Sequence, residues 1–161
     1  VIMTSLSVIL CIFLLVQLSK VKEDLQSLPR RNEDGIKLKL QALERLTLFA
    51  ERCRLSSLVA RVEGVNLPTA DYYIKLIETI KEEYEYNLTQ QVYVSPEIWN
   101  AITKLKDQNM YVIHQITSNL PPHATLSDLG KLILEYCNTP NADLSNVVLD
   151  GLQYETKQLL S

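Results

Sequence analysis

The pattern of hydrophobic and polar residues changes abruptly after Ser19. Residues 1–19 contain no charged side chain, whereas from Lys20 onward apolar residues recur at spacings of three and four between polar ones. The second pattern is typical of amphipathic α-helices that each bury one face. We therefore predict an all-α fold: one N-terminal transmembrane helix followed by a compact cytoplasmic bundle of about five helices.

The uncharged segment has the length of a membrane span. A helix of this length extends about 28 Å, close to the roughly 30 Å thickness of the hydrocarbon core. A cleaved signal peptide and a buried core helix are the alternatives. No basic residue precedes the apolar run, and Leu18-Ser19-Lys20 matches a small-residue cleavage site poorly. These features favour a retained anchor that contacts the lipid bilayer through residues 1–19.

The basic residues near this segment all follow it: Lys20, Lys22, Arg30, Arg31, Lys37 and Lys39. Lysine and arginine within about 20 residues of a span mark its cytoplasmic side. The large C-terminal part is therefore predicted to be cytoplasmic.

A second pattern crosses the predicted membrane surface. Apolar or small residues follow one another at alternating steps of three and four, and they include Ser7, Cys11, Leu14, Leu18, Val21, Leu25 and Leu28. We call this set the ladder. Such spacing forms the seam of paired helices, and small residues let membrane helices approach closely. The ladder predicts helix pairing; a chance heptad pattern and packing on the chain's own domain stay open as alternatives.

Proline and glycine positions divide the rest of the chain. Pro29 disfavours helix at Leu28, so the first helix is predicted to cover 1–28, with a polar hinge at 29–35. The remaining residues, 36–161, form the helical domain. Its predicted helices cover residues 36–63, 69–88, 96–120, 125–136 and 142–160. Two of these helices begin with capping residues. Ser95 precedes Pro96 at the start of helix 96–120, and Thr125 is followed by Asp128 at the reciprocal capping position of helix 125–136.

The composition contains few residues arranged for chemistry. Neither His114 nor His123 has metal-ligand neighbours at helical spacing, and the three cysteines lack metal-type spacing. No nucleophile, nucleotide-binding or metalloprotease motif occurs. A net charge of −3 argues against a nucleic-acid partner. We predict no catalytic residue, no metal site and no cofactor.

The predicted helix 69–88, the third of the chain, carries candidate partner contacts. Tyr72 and Tyr86 fall away from its predicted core face, and Glu82 belongs to an acidic run that suits a basic partner. Ordinary half-buried rings and a solvated charged face are the alternatives.

Two segments carry a resemblance to a known family. They are IKLKLQALERLTLFAERC at 36–53 and EEYEYNLTQQVYVS at 82–95. The chain resembles an uncharacterised family of short single-pass membrane proteins from Bacteroidota. The resemblance implies a bacterial inner (cytoplasmic) membrane setting. Because that family has no assigned activity, no functional residue carries over.

The function predicted from these observations is a membrane-anchored, non-enzymatic interaction module. It would act as an accessory subunit or adaptor of an inner-membrane complex, with a protein partner or as a homo-oligomer. The alternatives are a self-associating structural membrane protein organised by the 4–28 helix, and an enzyme with an unrecognised site.

Overall fold

The computed structural model describes the backbone of residues 2–64, 66–139 and 143–161, and the side chains of these residues except 2–13 and 23–32. The described residues form helices joined by short turns and irregular segments, with no strand among them, so the all-α prediction is confirmed. The elements are α1 (Ile2–Cys53), α2 (Leu55–Arg61), α3 (Thr69–Asn87), a 3₁₀ helix (Leu88–Val92), α4 (Pro96–Ser118), α5 (Leu126–Cys137) and α6 (Leu144–Leu160).

The chain divides into two compact units, Val1–Leu38 and Lys39–Ser161. In the first unit the described members of the ladder are exposed: Leu14 by 55 %, Leu18 by 70 % and Val21 by 55 %. The other ladder residues, Ser7, Cys11, Leu25 and Leu28, lie outside the described side chains. Helix pairing through the ladder stays a prediction.

No helix in the part of the chain that the structure describes is long and apolar enough to cross a bilayer. Most of the predicted span, residues 1–19, lies outside the described side chains, which begin at Leu14. The transmembrane helix therefore stays a prediction.

The course of α1 differs from the prediction at Pro29. The helix continues through residues 29–35, which the sequence predicts as a polar hinge, so the predicted helix end at Leu28 is wrong. Proline removes one backbone donor and restricts the preceding residue, but this is a preference that a long helix can override. The predicted domain bounds, 1–28, 29–35 and 36–161, stay predictions.

A second difference lies at Arg54, where the predicted helix 36–63 is broken into α1 and α2. Arg54 has an extended backbone, with ψ 126°. Its Nη1 donates to Asp143 Oδ2 at 3.0 Å and its Nη2 to Asn146 Oδ1 at 2.9 Å. Because both partners lie about 90 residues away at the start of α6, the local pattern of apolar residues contains no sign of this break.

The predicted starts of α4 and α5 are confirmed. Ser95 Oγ accepts the backbone N–H of Ile98, and Pro96 is the first residue of α4. Thr125 and Asp128 form a reciprocal capping box at α5. Hydrogen bonds from Thr125 lower the pKa of the Asp128 carboxyl.

The core of the second unit lies where α2 packs on α5 and α4 packs on α3, α5 and α6. Its fully buried side chains include Leu46, Phe49, Leu58, Leu76, Ile80, Ile102, Leu105, Ile113, Leu129, Ile133 and Leu152. The aromatic part of this core begins at Phe49. The Phe49 ring centroid lies 6.2 Å from that of Tyr84, and Tyr84 lies 5.3 Å from Trp99. This cluster fixes the C-terminal part of α1 against α3 and α4.

Candidate functional site

One face of α1 is shared between the core and the surface. Arg45, Leu48, Phe49 and Arg52 are spaced three, four and seven residues from the first, so they lie side by side on the helix. Phe49 is fully buried, whereas Leu48 is 55 % exposed. The same face therefore anchors α1 in the core and presents an apolar side chain to solvent beside it.

Tyr86, near the end of α3, is an exposed ring held in place by this face. It is 73 % exposed. The guanidinium carbon of Arg45 lies 4.7 Å from the ring centroid, and Arg45 Nη2 donates to the Tyr86 carbonyl at 2.9 Å. Arg45 Nε also donates to Oδ1 of the buried Asn87 at 3.3 Å. One of these contacts places the guanidinium on the ring, and the two hydrogen bonds hold Arg45 itself against the end of α3, so the ring is supported on one face while solvent reaches the rest.

Two hollows flank Tyr86. The larger, of about 650 Å³, is lined by residues of α1, α2 and α3 that include Arg52, Arg61, Lys75, Glu82, Glu83 and Tyr86. The smaller, of about 210 Å³, reaches Phe49 and is bordered by Arg45, Leu48, Arg52, Glu83, Tyr86 and Asn87. We name the exposed and half-buried set Arg45, Leu48, Arg52, Glu82, Glu83 and Tyr86 the Arg45–Tyr86 surface.

Glu83 lies at the junction of the two hollows. Its Oε1 lies 3.1 Å from Arg52 Nε and 3.5 Å from Arg61 Nη1, and its side chain is only 13 % exposed. Arg61 Nη2 also donates to the Arg52 carbonyl at 3.2 Å. The carboxylate is therefore neutralised within the chain, and the ion pairs join α1, α2 and α3 into one base for Tyr86.

Cys53, at the end of α1, is buried behind these charges. Burial, reinforced by the Glu83 carboxylate, raises the pKa of its thiol to about 12. Burial likewise raises the pKa of Cys137. A thiol with a raised pKa is protonated at neutral pH and is a poor nucleophile.

Among the side chains that the structure describes, no group of three or more His, Cys, Asp or Glu is placed to hold a metal ion. Several charged groups of the two hollows are joined within the chain: Glu83 pairs with Arg52 and Arg61, and Lys75 Nζ donates to the Glu63 carbonyl.

The structure separates the three predicted partner contacts. Glu82 and Tyr86 line the larger hollow together. Tyr72 is only 3 % exposed, so its predicted role as a partner contact is wrong. Its ring packs on the backbone at Gly64, where an added Cβ would lie 2.7 Å from the Tyr72 Cδ2 atom. The local helical pattern could not reveal this, because Gly64, which lies outside α3, packs against the ring.

Four members of the Arg45–Tyr86 surface were not predicted as site residues: Arg45, Leu48, Arg52 and Glu83. In the predicted helix 36–63, Arg45 is one of several charged residues on a polar face, and Leu48 belongs to an apolar stripe. Arg45 and Tyr86 are 41 residues apart, and only the packing of α1 on α3 brings them together. The sequence signal that could have indicated this surface is Leu48, an apolar residue beside Arg45 and Arg52 on the helix face that also carries Phe49.

The chain belongs to the family of unknown function DUF7935, whose model matches residues 1–159. This agrees with the resemblance to an uncharacterised family; the bacterial source and the single membrane pass stay predictions. The comparison with curated proteins finds no match. No solved structure matches either.

Proposed function

We propose that this protein is a membrane-tethered, non-enzymatic interaction module that binds a protein partner through the Arg45–Tyr86 surface. In this role it serves as an accessory subunit or adaptor of a complex in the inner membrane. Residues 1–19 are the tether, and the second unit, Lys39–Ser161, is the binding domain.

The observation that carries the proposal is the exposed, fixed ring of Tyr86. Tyrosine and arginine are enriched where proteins bind each other, and they dominate the binding energy of many interfaces. A side chain that is already held loses less conformational freedom when a partner binds. Arg45 holds Tyr86 without covering it, and the exposed Leu48 adds apolar area beside the ring.

The hollows beside the ring indicate how a partner would fit. The smaller one ends on Phe49 and has the size for one apolar or aromatic side chain. Because Glu83 already has two arginine partners, the acidic groups of the larger hollow left for a partner's basic residue are Glu82 and Glu63, and Glu82 shares α3 with Tyr86. An apolar anchor inside a polar rim is the common arrangement of an interface centre.

Alanine at Tyr86 tests the binding role. The Tyr86→Ala chain is expected to lose a specific co-purifying protein when the tagged full chain is recovered from native membranes in mild detergent. Truncating a hot-spot residue costs about 2 kcal/mol or more, which corresponds to roughly a 30-fold loss of affinity. Quantitative mass spectrometry of the eluate measures the loss.

The matched control is Tyr111→Ala on α4, because Tyr111 is also exposed, by 60 %. This chain should keep the partner at the level of the parent. Both variants should keep the parent's stability to within about 1 kcal/mol, the scale of an exposed cation–π contact. Equal partner recovery in both variants would contradict the proposal that the partner binds through the Arg45–Tyr86 surface.

The tether rests on residues 1–19 and on the basic residues after them. A helix of this length matches the hydrocarbon core, and the first charged residue, Lys20, begins a basic flank. Deleting residues 1–19 should leave a folded helical domain, because the compact unit Lys39–Ser161 excludes the deleted segment. The truncated chain should leave the carbonate-washed membrane pellet and keep its helical circular dichroism. A truncated chain that stays in the washed pellet would contradict the tether.

Self-association is the second candidate function. It is favoured by the exposure of Leu14, Leu18 and Val21 along the ladder of a single chain. A second copy would cover this apolar stripe by helix pairing. In the same purification, an untagged copy of the chain would then co-elute as the main partner.

A further inference from the structure

A separate groove lies on another side of the second unit, between the C-terminal part of α1 and α6. It encloses about 740 Å³. Its apolar lining consists of Leu40 and Leu43 from α1 and Leu149 and Leu160 from α6. None of these residues belongs to the Arg45–Tyr86 surface, so the groove is an independent feature.

Two threonine hydroxyls in the groove need no hydrogen bond from an occupant. Thr47 Oγ1 donates to the Leu43 carbonyl at 2.8 Å, and Thr156 Oγ1 donates to the Leu152 carbonyl at 2.8 Å. Both hydroxyl protons are therefore already bound to the backbone of their own helices. An apolar side chain can therefore pack on these two threonines without leaving their donors unsatisfied, whereas the exposed amide of Gln153, which also lines the groove, needs water or a polar group of the occupant.

The borders of the groove are acidic on both sides. Glu44 and Glu51 line the α1 wall, and Asp150 lines the α6 wall. Glu51 lies 3.4 Å from Arg54 Nε, whereas Glu44 and Asp150 make no ion pair with a residue that the structure describes. The described lining contains no basic side chain. Two opposed carboxylates thus flank an apolar floor.

The dimensions suit a helix. The lining runs from residue 40 to 51 on α1 and from 149 to 160 on α6, which is about 16 Å, or three turns, along each wall. An amphipathic helix binds such a groove by placing apolar residues at i, i+3, i+4 and i+7 on the floor. Lysine or arginine beside those anchors would face the carboxylates.

We propose that the α1–α6 groove binds a basic amphipathic helix of a protein partner. Charge complementarity selects this occupant, because an acidic helix would bring like charges together at both walls. The charge of the domain acts in the same direction, since residues 40–161 contain ten basic and fifteen acidic side chains. The groove is thus a second docking surface, distinct in position and chemistry from Tyr86.

The test uses the full chain in nanodiscs of zwitterionic lipid and two fluorescent synthetic peptides. Each peptide is an amphipathic helix of about four turns with leucine on one face; one has lysine beside the leucines and the other glutamate. Anisotropy titrations, with empty nanodiscs as the blank, should show that the lysine peptide binds at least about ten times more tightly. The Tyr86→Ala chain should bind it like the parent.

Charge reversal locates the binding. Glu44→Lys combined with Asp150→Lys should weaken binding of the lysine peptide by about tenfold or more and strengthen binding of the glutamate peptide. Glu78→Lys with Glu135→Lys, the same change of net charge at exposed positions elsewhere, should leave affinity within about twofold. All four positions are exposed, so the variants should fold, and circular dichroism verifies it.

Three results would overturn the proposal. The two peptides could bind equally well, or the two double variants could behave alike. A photo-cross-linker placed at Leu160, which is 65 % exposed, could also capture only a second copy of this chain in native membranes. None of these results bears on the Tyr86 experiment, so the two surfaces can fail separately.

Discussion

Replacing Phe49 with alanine is expected to lower the free energy of unfolding by about 3–5 kcal/mol, the usual range for removing a buried aromatic ring. Phe49 is fully buried and makes an edge contact with Tyr84. Its loss removes the apolar contacts of the ring and leaves a cavity where α1 meets α3 and α4. Urea unfolding of the full chain in mild detergent, followed by circular dichroism, measures the change.

The neighbouring residue Leu48 provides the control. Leu48→Ala removes an apolar side chain one position away that is 55 % exposed, so it should cost well under 1.5 kcal/mol. A similar loss for both variants would mean that the C-terminal part of α1 is not anchored in the core. The Phe49→Ala chain should also bind the partner less well, since this ring supports the smaller hollow beside Tyr86.

Replacing Asn109 with leucine is expected to destabilise the domain by about 1–3 kcal/mol, the desolvation penalty of a buried carbonyl left without a donor. Asn109 lies on α4 and is 3 % exposed. Its Nδ2 donates at 2.7 Å to the carbonyl of Cys53, where α1 ends before the extended Arg54. The hydrogen bond therefore satisfies a backbone group that the helix break would otherwise leave unpaired.

Asn100→Leu makes the same chemical change at an exposed position on α4 and should alter stability by less than about 0.5 kcal/mol. Urea unfolding gives the midpoint and the slope m of each variant. Where the slopes agree, the difference between the two midpoints multiplied by m is the difference in free energy of unfolding. If Asn109→Leu is as stable as the Asn100→Leu control, the buried hydrogen bond does not hold the α1–α2 break.

Local chemistry explains which parts of the fold the sequence predicts. The helices of the domain follow from apolar spacing, and the starts of α4 and α5 follow from capping groups at most three residues from their partners. The break at Arg54 could not be predicted, because its guanidinium binds groups at the start of α6. The helical course through Pro29 shows the reverse case, in which a strong local preference is overridden.

The same contrast between local pattern and long-range contact applies to the candidate site. Glu82 and Tyr86 were predicted because an exposed acid and an exposed tyrosine on one helix suggest a partner surface. Tyr72 carries the same sequence pattern, yet it is buried and Gly64 packs against its ring. Arg45 was missed because its contacts with Tyr86 exist only after α1 packs on α3. Burial and long-range pairing therefore decide which candidates form a surface.

The central claim, that a protein partner contacts Tyr86, is tested most directly by photo-cross-linking in native membranes. A benzophenone amino acid replaces Tyr86 in one full-length chain and Tyr111 in another, since both positions are exposed aromatic residues. Irradiation should give one discrete adduct with a protein other than this chain from position 86, and none from position 111. The absence of an adduct at position 86, or the same adducts from both positions, would contradict the claim.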